Sequence, residues 1–343
     1  MSAVDVQTGA TAPAPSGGRS AALNWTWWLL RRLALAVGTM LLVSILVFVA
    51  TSSLGDPVRA ILGRDYELSP ERVRQLEQLM NLDKPLLVRY FDWLGGLLTG
   101  DLGMSVAAMR PVSQMIGDTV VNSLVLVAIS AVVMIPVSFG LAMLSSALRK
   151  GRGDSVIQSI LLTLAGLPEF VIGILLVALF STTVFRLLPA VTVSMPGQPP
   201  WSRPEAMILP VLTLVLAVSP YVARIVRATL LEVLDSEYVE LARLKGIPEG
   251  VVMRRHALRN AIVPGVQVMA LQLAWLAGGV VVIEALFSYP GIGKQLVDAV
   301  RNHDVPLVQA LSMIIAGVYV TVNLIADVLS ILLTPRARTA IAG

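Results

Sequence analysis

The sequence of 343 residues contains no cysteine and only two histidines, His256 and His303. The absence of cysteine excludes disulfides, thiolate catalysis and cysteine metal sites, and two histidines argue against a histidine-rich metal site. Charged residues are also scarce, at 14% of the chain, whereas soluble domains carry about 25%. Because no basic stripe with interleaved aromatic residues occurs, nucleic acid is not an expected partner.

Hydrophobic residues make up 56% of the chain, and its mean hydropathy is +0.78. They gather in runs long enough to cross the roughly 30 Å hydrocarbon core of a membrane as helices, since each backbone polar group in lipid needs an internal partner. The predicted fold class is therefore all-α, a polytopic membrane protein with six transmembrane helices. These spans are expected at about 33–53, 120–144, 157–180, 206–226, 262–286 and 310–333.

The segments around the spans divide the chain further. Residues 1–24 are rich in Ala, Pro, Gly, Ser and Thr, and are predicted to be a disordered cytoplasmic tail. Residues 25–338 form the transmembrane domain, and 339–343 form a second short tail. The long external loop 54–119 contains an amphipathic segment at 86–98. This segment is expected at the outer membrane surface, or alternatively as a plug on the ends of the spans.

Lysine and arginine are distributed unevenly between the two sets of short loops, which predicts orientation. The poorer set contains Arg186, Arg203, Lys294 and Arg301. The richer set contains Arg31, Arg32, Arg149, Lys150, Arg152, Arg224, Arg227, Arg243, Lys245, Arg254, Arg255, Arg259, Arg336 and Arg338. Both termini and the loop 227–261 are therefore predicted to be cytoplasmic.

The loop 227–261 has the signals of a short helix. Asp235 or Ser236 is positioned to cap its start, and Gly246 fits the left-handed position just past its end. A second helix opening at Pro248 is expected to close at 254–256. The first helix has an apolar edge, formed by Tyr238, Leu241 and Ala242, that suits a groove in another protein. An ordinary solvated loop would have the same charges, so these residues alone leave both interpretations open.

Several motifs resemble those of a known family. Glu240-Leu241-Ala242, Gly246 and Ile262-Val263-Pro264 resemble the EAA loop of permease subunits in ATP-binding-cassette (ABC) importers, with Leu241 in place of the usual central alanine. Other motifs are similar to the first permease subunit of dipeptide and oligopeptide importers, and the resemblance spans about residues 28–338. They are Gly55-Asp56-Pro57, the glycine-rich segment 95–103, His256-Ala257-Leu258-Arg259-Asn260, the segment 284–293 and Asn323-Leu324-Ile325-Ala326-Asp327.

The resemblance implies a type I ABC importer permease fold in the inner membrane of a bacterium, with a coupling helix that docks into an ATPase. The expected docking residues are Glu237, Tyr238, Glu240, Leu241, Ala242, Lys245 and Gly246. The chain itself is expected to bind no cofactor, and ATP and Mg²⁺ would bind two ABC ATPase subunits. A second related permease and an extracytoplasmic solute-binding protein complete the implied assembly. Di- or oligopeptides are the expected cargo, with nickel complexes, haem, glutathione or oligosaccharides as alternatives.

Carboxylates within spans are costly unless they are paired or face water. Glu169, directly after Pro168, and Glu284 are candidates for the translocation path, although structural roles remain open for both. Asp327 is expected to pair with another span, and His303-Asp304 to lie in a surface loop.

Two other classes of function fit the sequence less well. A secondary transporter driven by an ion gradient predicts inverted repeats with paired discontinuous spans, and the sequence offers only the isolated Glu169. An enzyme lacks support because neither Gly-x-Ser-x-Gly nor His-Glu-x-x-His occurs, and Gly291-Ile292-Gly293-Lys294 lacks the glycine and the Ser or Thr of a phosphate loop. No catalytic or metal-binding residue is therefore predicted.

Overall fold

The computed structural model describes residues 17–53, 70–71, 73–74, 82, 84–149, 151–192 and 198–333. The helices are α1 (Gly17–Ser52), α2 (Leu86–Thr99), α3 (Val112–Ala147), α4 (Arg152–Gly166), α5 (Glu169–Val177), α6 (Pro204–Leu234), α7 (Glu237–Leu244), α8 (Glu249–Val251), α9 (Leu258–Leu286), α10 (Ile292–Arg301) and α11 (Val305–Leu333). π-Helical turns extend α5 over Ala178–Thr182 and join α8 to α9 over Val252–Ala257, and Pro200–Ser202 forms a 3₁₀ turn. Strands β1 (Met104–Ser105) and β2 (Arg110–Pro111) pair antiparallel, with Ser105 opposite Arg110.

Six spans can be assigned within the described residues. Four single helices are long and apolar enough to cross a membrane, namely α1 from Thr26, α3, α6 and α11 up to Val328. Two further spans are bent pairs: α4 with the extended α5, at 109°, and Pro264–Leu273 with Gly278–Leu286 inside α9, at 57°. The total is six when each pair is counted as one span, as the sequence predicts.

The third span differs from the expectation of one helix over 157–180. α4 ends at Gly166, Leu167 is extended, and α5 begins directly after Pro168. Proline disfavours the helical conformation in the residue before it and lacks the N–H that an uninterrupted helix needs. Glu169 therefore lies in the first turn of a helix and not in the middle of one.

The first helix starts earlier than expected. α1 begins at Gly17, so residues 17–24 are helical, although composition had placed them in a disordered tail; residues 1–16 lie outside the described part. Ala and Leu at positions 21–23 favour helix, and lengthening an existing helix avoids the cost of nucleating a new one. A prediction of disorder from composition alone does not include this stabilisation by the adjoining helix.

The central helix of the bundle is α6, which contacts α3, α4, α5 and α9. Its internal Pro210 is tolerated because a neighbouring hydroxyl satisfies the carbonyl that this proline frees. Pro210 leaves the carbonyl of Ala206 without its helical donor, and the Thr192 hydroxyl donates to that oxygen at 2.9 Å. On the periphery, α1 packs on α11, and apolar side chains of α1 such as Leu42 and Leu46 remain about 60% exposed. This exposed surface suits contact with lipid.

The amphipathic segment of the long loop forms α2. Tyr90 shares a 2.8 Å hydrogen bond with Ser44 of α1, and the Tyr90 and Trp93 rings pack against Phe48. Leu87 and Phe91, on another side of α2, are largely exposed. Apolar side chains left exposed beside a lipid-facing helix favour a position at the membrane surface.

Candidate functional site

The helix predicted in the basic loop is α7, and its end forms as expected. Gly246 has a φ of +79°, in the left-handed region. The Gly246 N–H donates to the Arg243 carbonyl at 2.9 Å, and the Ile247 N–H donates to the Ala242 carbonyl at 3.2 Å. This pair of bonds is a Schellman motif, which satisfies two carbonyls of the last helical turn.

The start of α7 differs from the prediction of a side-chain cap. Ser236 has the extended backbone of a capping residue, but its hydroxyl donates to the Val233 carbonyl at 2.5 Å. The Asp235 carboxylate instead binds Arg149 Nη1 at 2.7 Å. The side chains expected to cap α7 therefore stabilise the preceding corner, and Asp235 ties this corner to the α3–α4 connection.

α7 has one buried face and one exposed face. Val239 is fully buried and Ala242 is 7% exposed, and Val239 joins the main core together with Val252 and Met253. On the opposite side, Leu241 is 53% exposed and Leu244 is 79% exposed. We define the outer face of α7 as its exposed residues Glu237, Tyr238, Glu240, Leu241, Leu244 and Lys245. Exposed leucines on an anchored helix suit a contact with another molecule.

The outer face includes five of the expected docking residues and adds one that was missed. Gly246 is also exposed, whereas Ala242 points into the protein, so it anchors α7 and is not free to contact a partner. Leu244 was not identified from the sequence. The spacing of Glu237, Leu241 and Leu244 at i, i+4 and i+7 places them on one helical face, and this pattern could have identified Leu244.

An ion pair clamps α7 to the next helix. Arg243 Nε and Nη2 donate to the two oxygens of Glu249 at 3.0 and 2.7 Å, and its Nη1 donates to the Leu234 carbonyl at 3.0 Å. The hydrogen bonds from Arg243 hold the pKa of Glu249 below its usual value, and Glu249 raises the pKa of Arg243. One guanidinium therefore joins the end of α6, α7 and α8, and we call this contact the Arg243–Glu249 clasp.

The helix after the clasp continues into a membrane span. Instead of closing at 254–256 as expected, α8 runs through the π-helical turn into α9 without a loop. Asn260 of α9 donates from Nδ2 to the Tyr238 hydroxyl at 2.9 Å. α7 is thus connected to the fifth span both along the chain and through a direct side-chain contact.

At the other end of the molecule, Glu284 is fully buried. Its carboxylate accepts the Ser123 hydroxyl at 2.5 Å and the Gly293 N–H at 2.6 Å. Gly291 packs so closely that a Cβ there would lie 2.1 Å from Glu284 Oε1, so any other residue would displace the carboxylate. In this conformation Glu284 holds the first turn of α10 against α3, and it presents no surface to a solute.

The other singled-out acidic residues have different surroundings. Asp327 pairs with Arg32 of α1 at 2.6 Å, as expected. Asp304 is buried, so its assignment to a surface loop is wrong: it accepts the Ser105 hydroxyl and the Val106 N–H of the β-hairpin. His303 beside it is exposed. Glu169 is half-buried, and no group in the described part of the chain forms a hydrogen bond or ion pair with its carboxylate.

Comparison with known proteins identifies the family. Residues 134–339 match the family described as binding-protein-dependent transport system inner membrane component, and residues 26–127 match the N-terminal membrane component of such systems. The chain belongs to this family of ABC importer permeases. Its helical bundle is therefore the type I ABC importer permease fold, and the family excludes a secondary transporter. As a member, this permease is a multi-pass inner-membrane transport subunit.

Similar permeases cover almost the whole chain. The glutathione transport system permease protein of Pectobacterium atrosepticum is 34% identical over 312 residues, which are 91% of this permease and 98% of the relative. A putative peptide transport system permease protein of Brucella abortus is 36% identical over 312 residues, covering 90% and 98% of the two chains. The glutathione permease of Salmonella typhimurium is also 34% identical over 312 residues.

Proposed function

We propose that this permease forms half of a translocation path with a second, related permease subunit, and that α7 docks into a cleft of a partner ABC ATPase. The observation that carries the proposal is the exposure of Leu241 and Leu244 on a helix that Val239 and Ala242 anchor to the bundle. An apolar helix face flanked by charges is the kind of surface that lies in a groove of another protein. Glu240 flanks the two leucines on one side and Lys245 on the other, and Glu237 precedes them on the same face.

The energy for transport would come from partner subunits. Two ATPases bind ATP and Mg²⁺, and their closure moves α7 on each permease. The Arg243–Glu249 clasp passes this movement to the helix that continues as the fifth span. ATP then shifts the permease between inward-facing and outward-facing states because the ATPases bind these two states with different affinity.

We infer that the cargo is a peptide, delivered by an extracytoplasmic solute-binding protein. The support is the similarity to permeases named for peptide and glutathione transport. Glutathione is itself a small peptide and is the second candidate for the same reason. The uneven basic charge supports an orientation with α7 and both termini in the cytoplasm. Arg149, bound to Asp235, lies beside α7, and Arg243, bound to Glu249, lies within it.

Uptake by the complete importer in proteoliposomes tests this function. With ATP inside and binding protein outside, labelled di- and oligopeptides should accumulate and haem should not. Glu240→Lys places a positive charge at the edge of the outer face and should lower uptake at least tenfold. Glu240→Gln, which keeps the size of the side chain, should retain most of it. Equal uptake by the Glu240→Lys variant and the unmodified importer would contradict docking through α7.

A further inference from the structure

The two bent spans meet at Glu169. Pro168 separates α4 from α5, and the bend in α9 lies between Leu273 and Gly278. Glu169 is the first residue of α5, and its Oε1 lies 3.6 Å from the point that a Cβ on Gly279 would occupy. The carboxylate therefore sits against α9 just past its bend. In membrane transport proteins, interrupted spans commonly form the sites that receive charged groups.

An indole ring shares this position with the carboxylate. The Trp275 ring lies 3.5 Å from the same point beside Gly279, and its side chain is about 44% exposed. A carboxylate next to an aromatic ring attracts an ammonium ion, through a charge-assisted hydrogen bond and a cation–π contact. The described side chains thus supply a carboxylate and an aromatic ring, but no cation that neutralises the carboxylate.

The lack of a cation beside the Glu169 carboxylate, among the described residues, indicates what this position can bind. A carboxylate at membrane depth is costly unless it pairs with a cation or faces water, and Glu169 is half-buried without a partner among the described residues. An unpaired carboxylate beside an aromatic ring fits a ligand with a protonated amino group.

We propose that Glu169 and Trp275 form a subsite of the translocation path that receives the protonated amino group of a peptide. The proposal rests on the proposed function, in which peptides cross this permease. It goes further by naming the group of the cargo that is recognised and the two side chains that contact it. A cargo without a free amino group makes neither contact.

The test compares a peptide with its N-acetylated form in proteoliposomes containing the complete importer, with saturating binding protein. Selection by the binding protein is the same in every arm, so it cancels when a variant is compared with the unmodified importer. Glu169→Gln should lower kcat/KM for the free peptide about tenfold, the loss expected for one charge-assisted contact. The kcat/KM for the acetylated peptide should stay unchanged. Trp275→Leu should lower kcat/KM a few fold for the free peptide only. Trp275→Phe, which keeps an aromatic ring, should retain most of the unmodified kcat/KM.

Glu205 supplies the matched control, because it is also a glutamate in the first turn of a helix, α6, and is exposed. Glu205→Gln should change kcat/KM for neither substrate. If Glu169→Gln lowers kcat/KM for both substrates equally and also reduces the amount of assembled complex, then Glu169 pairs with a cation of the second permease. The assignment of the subsite is then wrong. Unchanged kinetics for both substrates would also overturn it. If the unmodified importer transports neither peptide, the proposed peptide function fails instead.

Discussion

At the residue scale, the position of α7 depends on the backbone of Gly246. A φ of +79° costs a residue with a Cβ roughly 1–2 kcal/mol. No atom lies within 4 Å of a Cβ built on Gly246, so a larger side chain would have space but would strain the backbone. A substitution there should therefore alter the turn between α7 and α8 without disturbing the bundle.

Gly246→Val should spare membrane insertion and lower ATP-dependent uptake at least tenfold, because a β-branched residue disfavours the left-handed conformation. Gly250→Val is the control: Gly250 also has open space around it, but its φ is outside the left-handed region. Uptake by purified, reconstituted importer distinguishes the two variants. A Gly246→Val variant as active as Gly250→Val would show that the turn geometry is unimportant.

Gly246 could be predicted from the sequence because a glycine between a basic helical turn and Pro248 is a local signal. The exposure of Leu244 and the burial of Ala242 depend on more than a local signal. Their exposure depends on which face Val239 buries, and Val239 packs against Val252 and Met253 in the folded protein. A helix-spacing argument gives the faces of α7, but only the tertiary structure identifies the face that is buried.

At the scale of elements, the Arg243–Glu249 clasp joins α7 to the helix that becomes the fifth span. Glu249 has a pKa below its usual value of 4.5 because Arg243 donates hydrogen bonds to the carboxylate. A lowered folded-state pKa means that the contribution to stability is complete above the unfolded pKa and is lost as the pH falls through the folded pKa. The clasp is therefore fully formed at neutral pH.

Glu249→Gln imitates the protonated state at neutral pH and should lower uptake a few fold. The loss of stability should stay below about 1 kcal/mol, because the Glu249 side chain is 59% exposed. Thermal unfolding and uptake of the purified importer measure both effects, with Glu232→Gln at the exposed end of α6 as the control. An unchanged rate in Glu249→Gln would mean that the clasp does not transmit movement.

The β-hairpin and the start of α10 are held in place by side-chain contacts between residues far apart in the sequence. Ser123 and Glu284 are 161 residues apart, and Ser105 and Asp304 are 199 apart. The sequence indicated costly carboxylates but not their donors, which lie on other helices or on the β-hairpin. For this reason a buried Asp304 was mistaken for a surface residue, while the pairing of Asp327 with another span needed only its position within an apolar run.

At the scale of the whole molecule, the number of spans followed from apolar length, but their continuity did not. Pro168 interrupts the third span, whereas Pro136 and Pro210 remain inside long helices. At Pro210 the surroundings contribute, since Thr192 satisfies the carbonyl that this proline frees. Whether a proline bends or breaks a span therefore depends on neighbouring side chains, and the meeting of the two bent spans at Glu169 could not be predicted.

We propose α7 as the contact with the ATPase, and the absence of cysteine from this chain allows a direct test. Leu244→Cys on α7 and Leu98→Cys on α2 introduce single thiols at leucines that are 79% and 80% exposed. A short thiol–amine cross-linker applied to the assembled importer should join residue 244, and not residue 98, to an ATPase subunit. A cross-link to the ATPase from residue 98, or none from residue 244, would contradict the account.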